Sequence, residues 1–436
     1  MGGTCDYMIQ RGKCAFIAMV LFLSSSSGCS NRTNTSRSNE PVEITVVTPF
    51  RASDGNRSNF VTAYEEYETA SGNRIIDVET SAVNEEWKAK VIRDFREGNE
   101  PDVIFYFTGA DADELIRDNH IVSISEIRGE YPEYAANMKE SLLPVSTFDG
   151  RQYAVSVNGY WEGLFVNKSV LELCGIEIPG ADYTWNQFVD DCKAIRDNGY
   201  IPIACALNDI PHYWFEYCVF NNGSVSSHTQ IPSPSNDIIR DNWISGLNDI
   251  KELYEEGFFP ENTNETTDNE TVMLILENKA AFLLDGSWKV GWILDNTDNA
   301  DNFLVTYVPS KGSRKSTDAI GGFSMGYCIT RKAWEDPLKR NACVEFVMAM
   351  TTNEVVSSFG ALTVTALKEG VTPPDVISSF AMSALSMTKG CTAMVPAVQD
   401  LLNPVARGRL FNEIPNIVTG KITAKEAVER MNDIDN

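Results

Sequence analysis

Short apolar runs alternate with amphipathic helical patterns from residue 42 onward, and this alternation limits the possible fold more than any other feature of the chain. The apolar runs at 42–48, 74–78 and 103–107 predict strands, and the spacing of the aromatic residues between them predicts helices. The run at 103–107 (VIFYF) is too apolar for a sheet with one face in water. Strands that alternate with helices favour an α/β fold whose parallel sheet is covered on both faces. Ligands of such sheets bind at the carboxyl ends of the strands.

Three predicted helix starts carry the capping-box pattern, in which a hydroxyl residue is followed three positions later by Glu or Gln. The pairs are Thr184 with Gln187, Thr351 with Glu354, and Thr423 with Glu426. Each pair predicts a helix that begins directly after its threonine.

The first 28 residues have the layout of an export signal. Arg11 and Lys13 precede the apolar run 14–23 (CAFIAMVLFL), and small residues follow it. This run is about half as long as the roughly 20 residues that a membrane-spanning helix needs. Residues 1–28 are therefore predicted to be a signal peptide, and the folded part is predicted to lie outside the cytoplasm.

The segment from Ser26 to Cys29 resembles a bacterial lipobox, with a serine where an aliphatic residue is usual. Cys29 is accordingly the predicted lipidation site, which would anchor the protein to the cell membrane. The alternative is an ordinary secretory signal in which the cysteine is coincidental. Residues 29–40 are polar and lack periodicity, so they predict a flexible tether.

The charge balance excludes one class of partner. The chain has 61 acidic and 36 basic residues, a formal net charge of −25, and no block rich in lysine or arginine offsets it. Such a chain is repelled by a phosphate backbone, so no nucleic-acid partner is expected.

The cysteines and histidines do not form the sequence motifs that bind metals or carry out redox chemistry. Seven cysteines follow Cys29, an odd number without C-x-x-C spacing, and they are predicted to be buried as small apolar side chains. The three histidines form no zinc-binding motif, and no phosphate-binding loop of the Walker type is present. No metal or cofactor is therefore expected.

Several segments, in order, resemble one known family. They are residues 101–105 (PDVIF), 115–124, 149–204 with "VNKSVLELCGI", "TWNQF" and "NGYIPIA", 279–291 (KAAFLLDGSWKVG) and 420–431. Together they make the chain similar to the family 1 extracellular solute-binding proteins of ABC transporters, the group that takes up carbohydrates. The resemblance extends over roughly residues 42–431.

This resemblance implies an α/β, two-lobed periplasmic-binding-protein fold of type II, with a hinged cleft between the lobes. It implies a first lobe of residues 40–126 and 316–378 and a second lobe of 127–315 and 379–436. It also implies a monomer that binds a small molecule, presents it to ABC permease subunits and catalyses no reaction.

A sugar offers flat apolar faces and a ring of hydroxyls, so its site needs aromatic platforms and fixed polar groups. The resemblance implies that Trp288, which follows Asp285, stacks on the sugar, and that Tyr160 and Trp161 also contact it. The strand ends and the segments that cross between the lobes complete the set of candidate ligand-binding residues, namely Phe50, Arg51, Tyr106, Phe107, Asn158, Tyr160, Trp161, Trp214, Asp285, Trp288, Gly322 and Phe323. For the aromatic residues the alternative is a packing role in the core, which is equally compatible with the positions of Tyr106 and Phe107.

Two motifs suggest other functions. Residues 322–326 fit the G-x-S-x-G pattern of α/β-hydrolases, but a strand is predicted after them where that fold needs a helix, and all three histidines precede Ser324. Residues 295–302 resemble part of a calcium loop, but Ala300 and Thr306 occupy the positions that require glycine and glutamate. A hydrolase elbow and a calcium site are both disfavoured.

Two further functions stay open at this point. A glycosidase needs only a pair of carboxylates flanking the scissile bond, and so acidic a chain could supply one. A binding protein of this kind could also report its ligand to a membrane sensor instead of a permease.

Overall fold

The computed structural model describes residues 41–433 apart from 52–53, 81–82, 84, 210, 234, 361–362 and 372–376. The predicted signal peptide, Cys29 and the tether lie outside the described residues. The strands are β1 Glu43–Thr48, β2 Arg74–Glu79, β3 Val103–Phe107, β4 Tyr160–Asn167, β5 Ile201–Ala204, β6 Ala280–Gly286, β7 Phe303–Thr306, β8 Asp318–Gly322, β9 Met325–Ile329 and β10 Ala393–Val395. The α-helices are α1 Arg57–Ser71, α2 Glu85–Arg96, α3 Asp113–Arg117, α4 Ile124–Glu130, α5 Lys168–Cys174, α6 Trp185–Asp197, α7 His212–Asn222, α8 Asp237–Glu255, α9 Asp268–Leu276, α10 Trp288–Asn296, α11 Arg331–Glu335, α12 Pro337–Met350, α13 Asn353–Gly360, α14 Ser379–Gly390, α15 Pro404–Val418 and α16 Ala424–Asn432.

The first sheet has the order β2-β1-β3-β9. Its first three strands are parallel and coincide with the predicted strands to within one residue. The fourth strand, β9, pairs with β3 in the antiparallel direction, so the prediction of a wholly parallel sheet was wrong at this edge. Two clusters of buried apolar side chains cover the two faces of the sheet, one around Phe60, Phe105 and Tyr327, the other around Trp87 and Tyr106.

The second sheet has the order β10-β8-β4-β6-β5, with β7 also paired to β4. The long central strand β4 is antiparallel to β6, β7 and β8, whereas β5 runs parallel to β6. Its faces are covered by a large cluster that includes Phe188, Trp214 and Trp243 and by a smaller one around Phe165 and Phe380. The mixed α/β architecture with two separate sheets agrees with the predicted two-lobed fold.

The chain passes between the two sheets near residues 157–160 and 322–325. Val157 packs with the first sheet, and Tyr160 begins β4 of the second. β8 belongs to the second sheet and β9 to the first. Residues 134–157, which the resemblance places in the second lobe, therefore pack with the first sheet, and residues 318–322 pack with the second.

Capping residues fix several helix starts. The boxes at Thr184 and Thr423 are both formed, as predicted, and a third is formed at Thr267. The box predicted at Thr351 was wrong, because its hydroxyl donates back to the carbonyl of Val347 at 2.7 Å and closes the preceding helix. Thr352 caps α13 instead, through a 3.2 Å bond from the N–H of Val355.

The two motifs with alternative functions have ordinary structural roles. Residues 322–326 connect β8 directly to β9, so a strand follows Ser324 as predicted. Residues 295–302 form the end of α10, a turn and a short 3-10 helix. Among the described residues, no helix combines the length and the apolarity needed to cross a bilayer.

A candidate ligand-binding cleft

Strand directions bring three aromatic side chains together at one edge of the second sheet. Because β4 is antiparallel to β6, the first residues of β4 lie beside the end of β6, with Glu162 opposite Gly286. Tyr160 begins β4, and Trp288 begins the helix that follows β6. β5 runs parallel to β6, and the segment after its carboxyl end leads to Tyr213 on α7.

These three side chains, Tyr160, Tyr213 and Trp288, are called the aromatic platform here. The ring centroid of Trp288 lies 6.4 Å from that of Tyr160 and 6.1 Å from that of Tyr213. All eight tryptophans lie in the described part of the chain, and Trp288 alone is exposed, at 38%. Its indole folds back over Gly286, where a β-carbon would collide with the ring. Glycine at this position is what lets the indole lie across the end of β6.

A second aromatic group continues the platform toward α15. The imidazole of His212 lies 4.1 Å from the ring of Tyr213 and stacks on Phe411 at 5.9 Å. Burial, together with the positive charges of Lys88 and Arg407, lowers the pKa of His212 to about 3. The imidazole is therefore neutral at physiological pH.

Buried carboxyl groups lie close to the platform. Glu162 and Glu216 are fully buried, and Oε2 of Glu162 and both oxygens of Glu216 have no hydrogen-bond donor in bonding geometry among the described residues. Burial raises the pKa of both side chains well above its ordinary value, and their mutual repulsion and the charge of Asp400 raise it further. Burial also raises the pKa of Asp400 to about 6, although Lys88 and Arg407 oppose the shift. Acceptors left unpaired in such a place are costly unless a ligand supplies the missing donors.

Asp285, the last residue but one of β6, lies next to the platform and is held by two groups. The N–H of Gly286 donates to its Oδ1 at 2.6 Å, and Nζ of Lys289 lies 3.5 Å from its Oδ2. Lys289 also contacts Asp268 at 2.6 Å, so it ties the start of α10 to the start of α9. Burial raises the pKa of Asp285 to about 7 even though Lys289 lowers it.

Of the predicted residues, the structure brings Tyr160, Asp285 and Trp288 together. Four others pack in the core and form no part of this surface. Phe50 contacts Phe60, Phe105 and Phe359, Tyr106 and Trp161 are buried on β3 and β4, and Trp214 stacks on Phe188 at 5.5 Å.

The remaining predicted residues lie around the crossing segments or on the first lobe. Gly322 pairs with Tyr160 and has φ +147°, and Phe323 and the half-buried Asn158 flank the same crossing. The carbonyl of Arg51 accepts from the N–H of Asp54 at 2.8 Å, at the start of the first lobe's α1. Phe107 is half-buried beneath the ammonium of Lys88, which lies 4.1 Å from its ring centroid.

The two lobes touch on either side of this region. Gly55 of the first lobe packs against Gly291 of the second so closely that a β-carbon on Gly55 would lie 3.3 Å from the Cα of Gly291. Beside this contact lies a cavity of about 440 Å³ lined by residues of α1, the turn before it and Asp295. At the second contact Gly109 lies against the carbonyl of Asp400, where a β-carbon on Gly109 would collide.

Sequence reasoning missed Tyr213, Glu162, Glu216 and Asp400. Nine consecutive residues of α7, Tyr213 to Asn221, are buried, so this helix has no polar face from which its orientation could be read. The acidic residue in the otherwise apolar run of β4 (YWEGLFVN) is the one signal that could have identified Glu162.

Comparisons with known proteins agree with this architecture. A chitin oligosaccharide binding protein is 20% identical to this chain and superposes on it with a TM-score of 0.76. The match covers 90% of this chain and 98% of that protein. A raffinose complex of the binding protein RafE (17% identity, 90% and 98% coverage, TM-score 0.70) and maltose-bound MalE3 of T. maritima (15%, 90% and 98%, 0.72) have the same fold. No curated protein matches the sequence.

A family model provides the assignment. The model described as bacterial extracellular solute-binding protein matches residues 59–335, well over half of the chain, and this range contains the platform together with Glu162 and Glu216. The resemblance inferred from the sequence is thereby confirmed, and the chain belongs to the bacterial extracellular solute-binding protein family.

Proposed function

We propose that this chain is a lipid-anchored, extracytoplasmic binding protein that captures a sugar or oligosaccharide and delivers it to the permease of an ABC transporter. The observation that carries the proposal is an aromatic platform, exposed at Trp288, beside buried carboxyl oxygens that have no hydrogen-bond donor among the described residues. The apolar face of a pyranose matches the first feature, and its hydroxyls supply the donors that the second lacks.

The solved structures support carbohydrate as the ligand class. The proteins compared above bind chitin oligosaccharide, raffinose and maltose. None of these sugars is singled out by the platform, because stacking selects a ring face and not a particular linkage.

The distribution of the site over the lobes supports an order of events. All three platform residues belong to the second lobe, so the sugar binds there first. The first lobe then closes over it through the two interlobe contacts, with the crossing segments near residues 157–160 and 322–325 as the hinge. Closure gives the transporter two states to distinguish.

In this proposal the protein binds its ligand without catalysing any reaction on it. The carboxyl groups of Glu162 and Glu216 act as acceptors for hydroxyls, and no cofactor or metal takes part. Anchoring through Cys29 keeps the protein next to the permease.

Thermal unfolding of the chain from residue 30 onward, with N,N′-diacetylchitobiose, maltose, raffinose and single hexoses, tests the proposal. Binding to the folded state raises its stability by about 2.7 kcal/mol when the sugar is at 100 times its Kd. A raised midpoint with the sugar recovered intact by chromatography supports a binding protein. Cleaved sugar would identify a glycosidase, and no shift with any sugar would refute carbohydrate as the ligand class.

Delivery to a permease needs a separate experiment. Deleting the gene is expected to abolish uptake of the sugar that stabilises the protein. Binding without any loss of uptake would contradict delivery and favour a role in sensing.

A further inference from the structure

A buried ion cluster joins the two lobes away from the aromatic platform. Nη2 of Arg407, on the second lobe's α15, lies 2.6 Å from Oδ1 of Asp111 and 2.7 Å from Oε2 of Glu85, both on the first lobe. Nη1 of the same guanidinium donates to Oδ2 of Asp111 at 3.3 Å. Lys88 completes the cluster, with Nζ 3.1 Å from both Glu85 and Asp111. We call these four residues, Glu85, Lys88, Asp111 and Arg407, the interlobe cluster.

The cluster is closed off from water at its centre. The side chain of Arg407 is 0% exposed and that of Asp111 is 2% exposed, whereas Glu85 lies at the rim and is 45% exposed. Burial opposes ionisation of Asp111, yet Lys88 and Arg407 hold its pKa below the ordinary value. Asp111 and Arg407 are therefore both charged. Arg407 has its carboxylate partners on the opposite lobe, and Asp111 has one of its two cationic partners there.

The charges balance only when the lobes are together. Glu85, Lys88 and Asp111 on the first lobe sum to −1, and Arg407 supplies +1 from the second. On the second lobe, the carbonyl of Gln399 accepts from Arg407 at 3.2 Å, which aims the guanidinium across the gap. A bidentate arginine in this geometry fixes orientation as well as distance.

None of the four residues belongs to the aromatic platform or to the carboxyl groups beside it. The cluster does touch two of the predicted residues on the first lobe: the ring of Phe107 packs under Lys88, and the hydroxyl of Tyr106 donates to the carbonyl of Lys88 at 3.4 Å. Phe107, predicted to bind the ligand, thus supports a cation of the interlobe cluster.

We propose that the interlobe cluster is a latch that holds part of the protein population closed before any ligand is bound. The apparent affinity of a closing protein is its affinity in the closed state multiplied by the closed fraction. Arg407 therefore sets ligand affinity without touching the ligand, as a positioning residue that acts through Asp111 and Glu85.

Distances measured between two spin labels in the ligand-free protein test the latch. One label is placed at Ala89 on the first lobe and one at Val405 on the second, since both positions are exposed and each lies next to a member of the cluster. Both are introduced through unnatural amino acids, which leaves the native cysteines untouched. The wild type is expected to contain a short-distance population, which Arg407→Met and Asp111→Asn shift to longer distances.

Matched variants separate the latch from general effects. Arg409→Met removes an exposed arginine from the same helix, whose guanidinium bonds to the carbonyl of Arg430, and it is expected to leave the distances unchanged. Glu85→Gln changes a residue at the exposed rim, so it is expected to retain the fold and to give an intermediate shift. Arg407→Met combined with Asp111→Asn is expected to shift the distances by less than the sum of the single changes, because both act through one contact.

Either of two results would overturn the latch. One is a wild type with only the long distance, and the other is a folded Arg407→Met or Glu85→Gln protein whose distances match those of the wild type. No sugar is used, so failure of the proposed ligand class leaves this test intact.

Discussion

Replacing Trp288 by alanine removes the one exposed side chain of the aromatic platform, and the effect on sugar binding follows from its exposed area. A tryptophan side chain offers up to about 250 Å². Because Trp288 is 38% exposed, about 95 Å² is free for a ligand to cover. At roughly 25 cal/mol per Å², full coverage contributes about 2.4 kcal/mol and half coverage about 1.2 kcal/mol. We therefore expect Trp288→Ala to weaken sugar binding by between ~8-fold and ~60-fold.

Isothermal titration calorimetry with the sugar that raises the unfolding midpoint most is the appropriate assay. Trp288→Phe is expected to retain part of the affinity, since a smaller ring still covers the apolar face. Phe148→Ala is the matched control, because Phe148 is also an exposed aromatic residue but lies in a loop of the first lobe near Arg117. An unchanged Kd for Trp288→Ala, with the circular dichroism spectrum and midpoint of the free protein intact, would remove Trp288 from the site.

Three further changes have defined outcomes. Gly286→Ala places a β-carbon against the indole of Trp288, so it is expected to lower sugar affinity at least as much as Trp288→Phe does. Wild-type affinity in calorimetry would contradict the packing of Trp288 on Gly286. The folded protein keeps the proton of Asp285 up to about pH 7, whereas the unfolded chain loses it near pH 3.8, so this residue lowers the free energy of unfolding as pH rises from 4 to 7. Asp285→Asn is expected to flatten that part of the stability profile in urea titrations, and a profile that retains the full slope would refute the assignment. Cys29→Ser is expected to abolish incorporation of radiolabelled palmitate in a bacterial host, and continued labelling would place the anchor elsewhere.

The first lobe was largely predictable from the sequence because its strands are local. The runs that became β1, β2 and β3 are each apolar, short and bounded by polar residues, so hydrophobic pattern alone located them. The resemblance places residues 316–378, and with them β9, in the first lobe, but the pairing of β9 with β3 was not predicted. The two strands lie more than 200 residues apart, and no local pattern reports such a pairing.

The candidate site was predictable where a family motif marked it and not elsewhere. Trp288 and Asp285 lie in one recognisable segment, and Tyr160 lies beside a lobe crossing. Tyr213 and Trp214 are adjacent aromatic residues on a helix buried on nearly every side, and only packing decides that the first faces the platform and the second the core. Arg407 and Asp111 lie 296 residues apart, so their contact exists only in the folded protein.

The first sheet is completed by β9, a strand that lies more than 200 residues after β3 in the chain, and this separation affects how the chain folds. Until residues 325–329 are available, the sheet β2-β1-β3 has an unpaired edge at β3, and the segment that fills it follows the bulk of the second lobe. Contacts so distant along the chain must close a long loop before they stabilise anything, which slows folding. The nascent first lobe therefore cannot complete its sheet until residues 325–329 have been synthesised, after most of the second lobe.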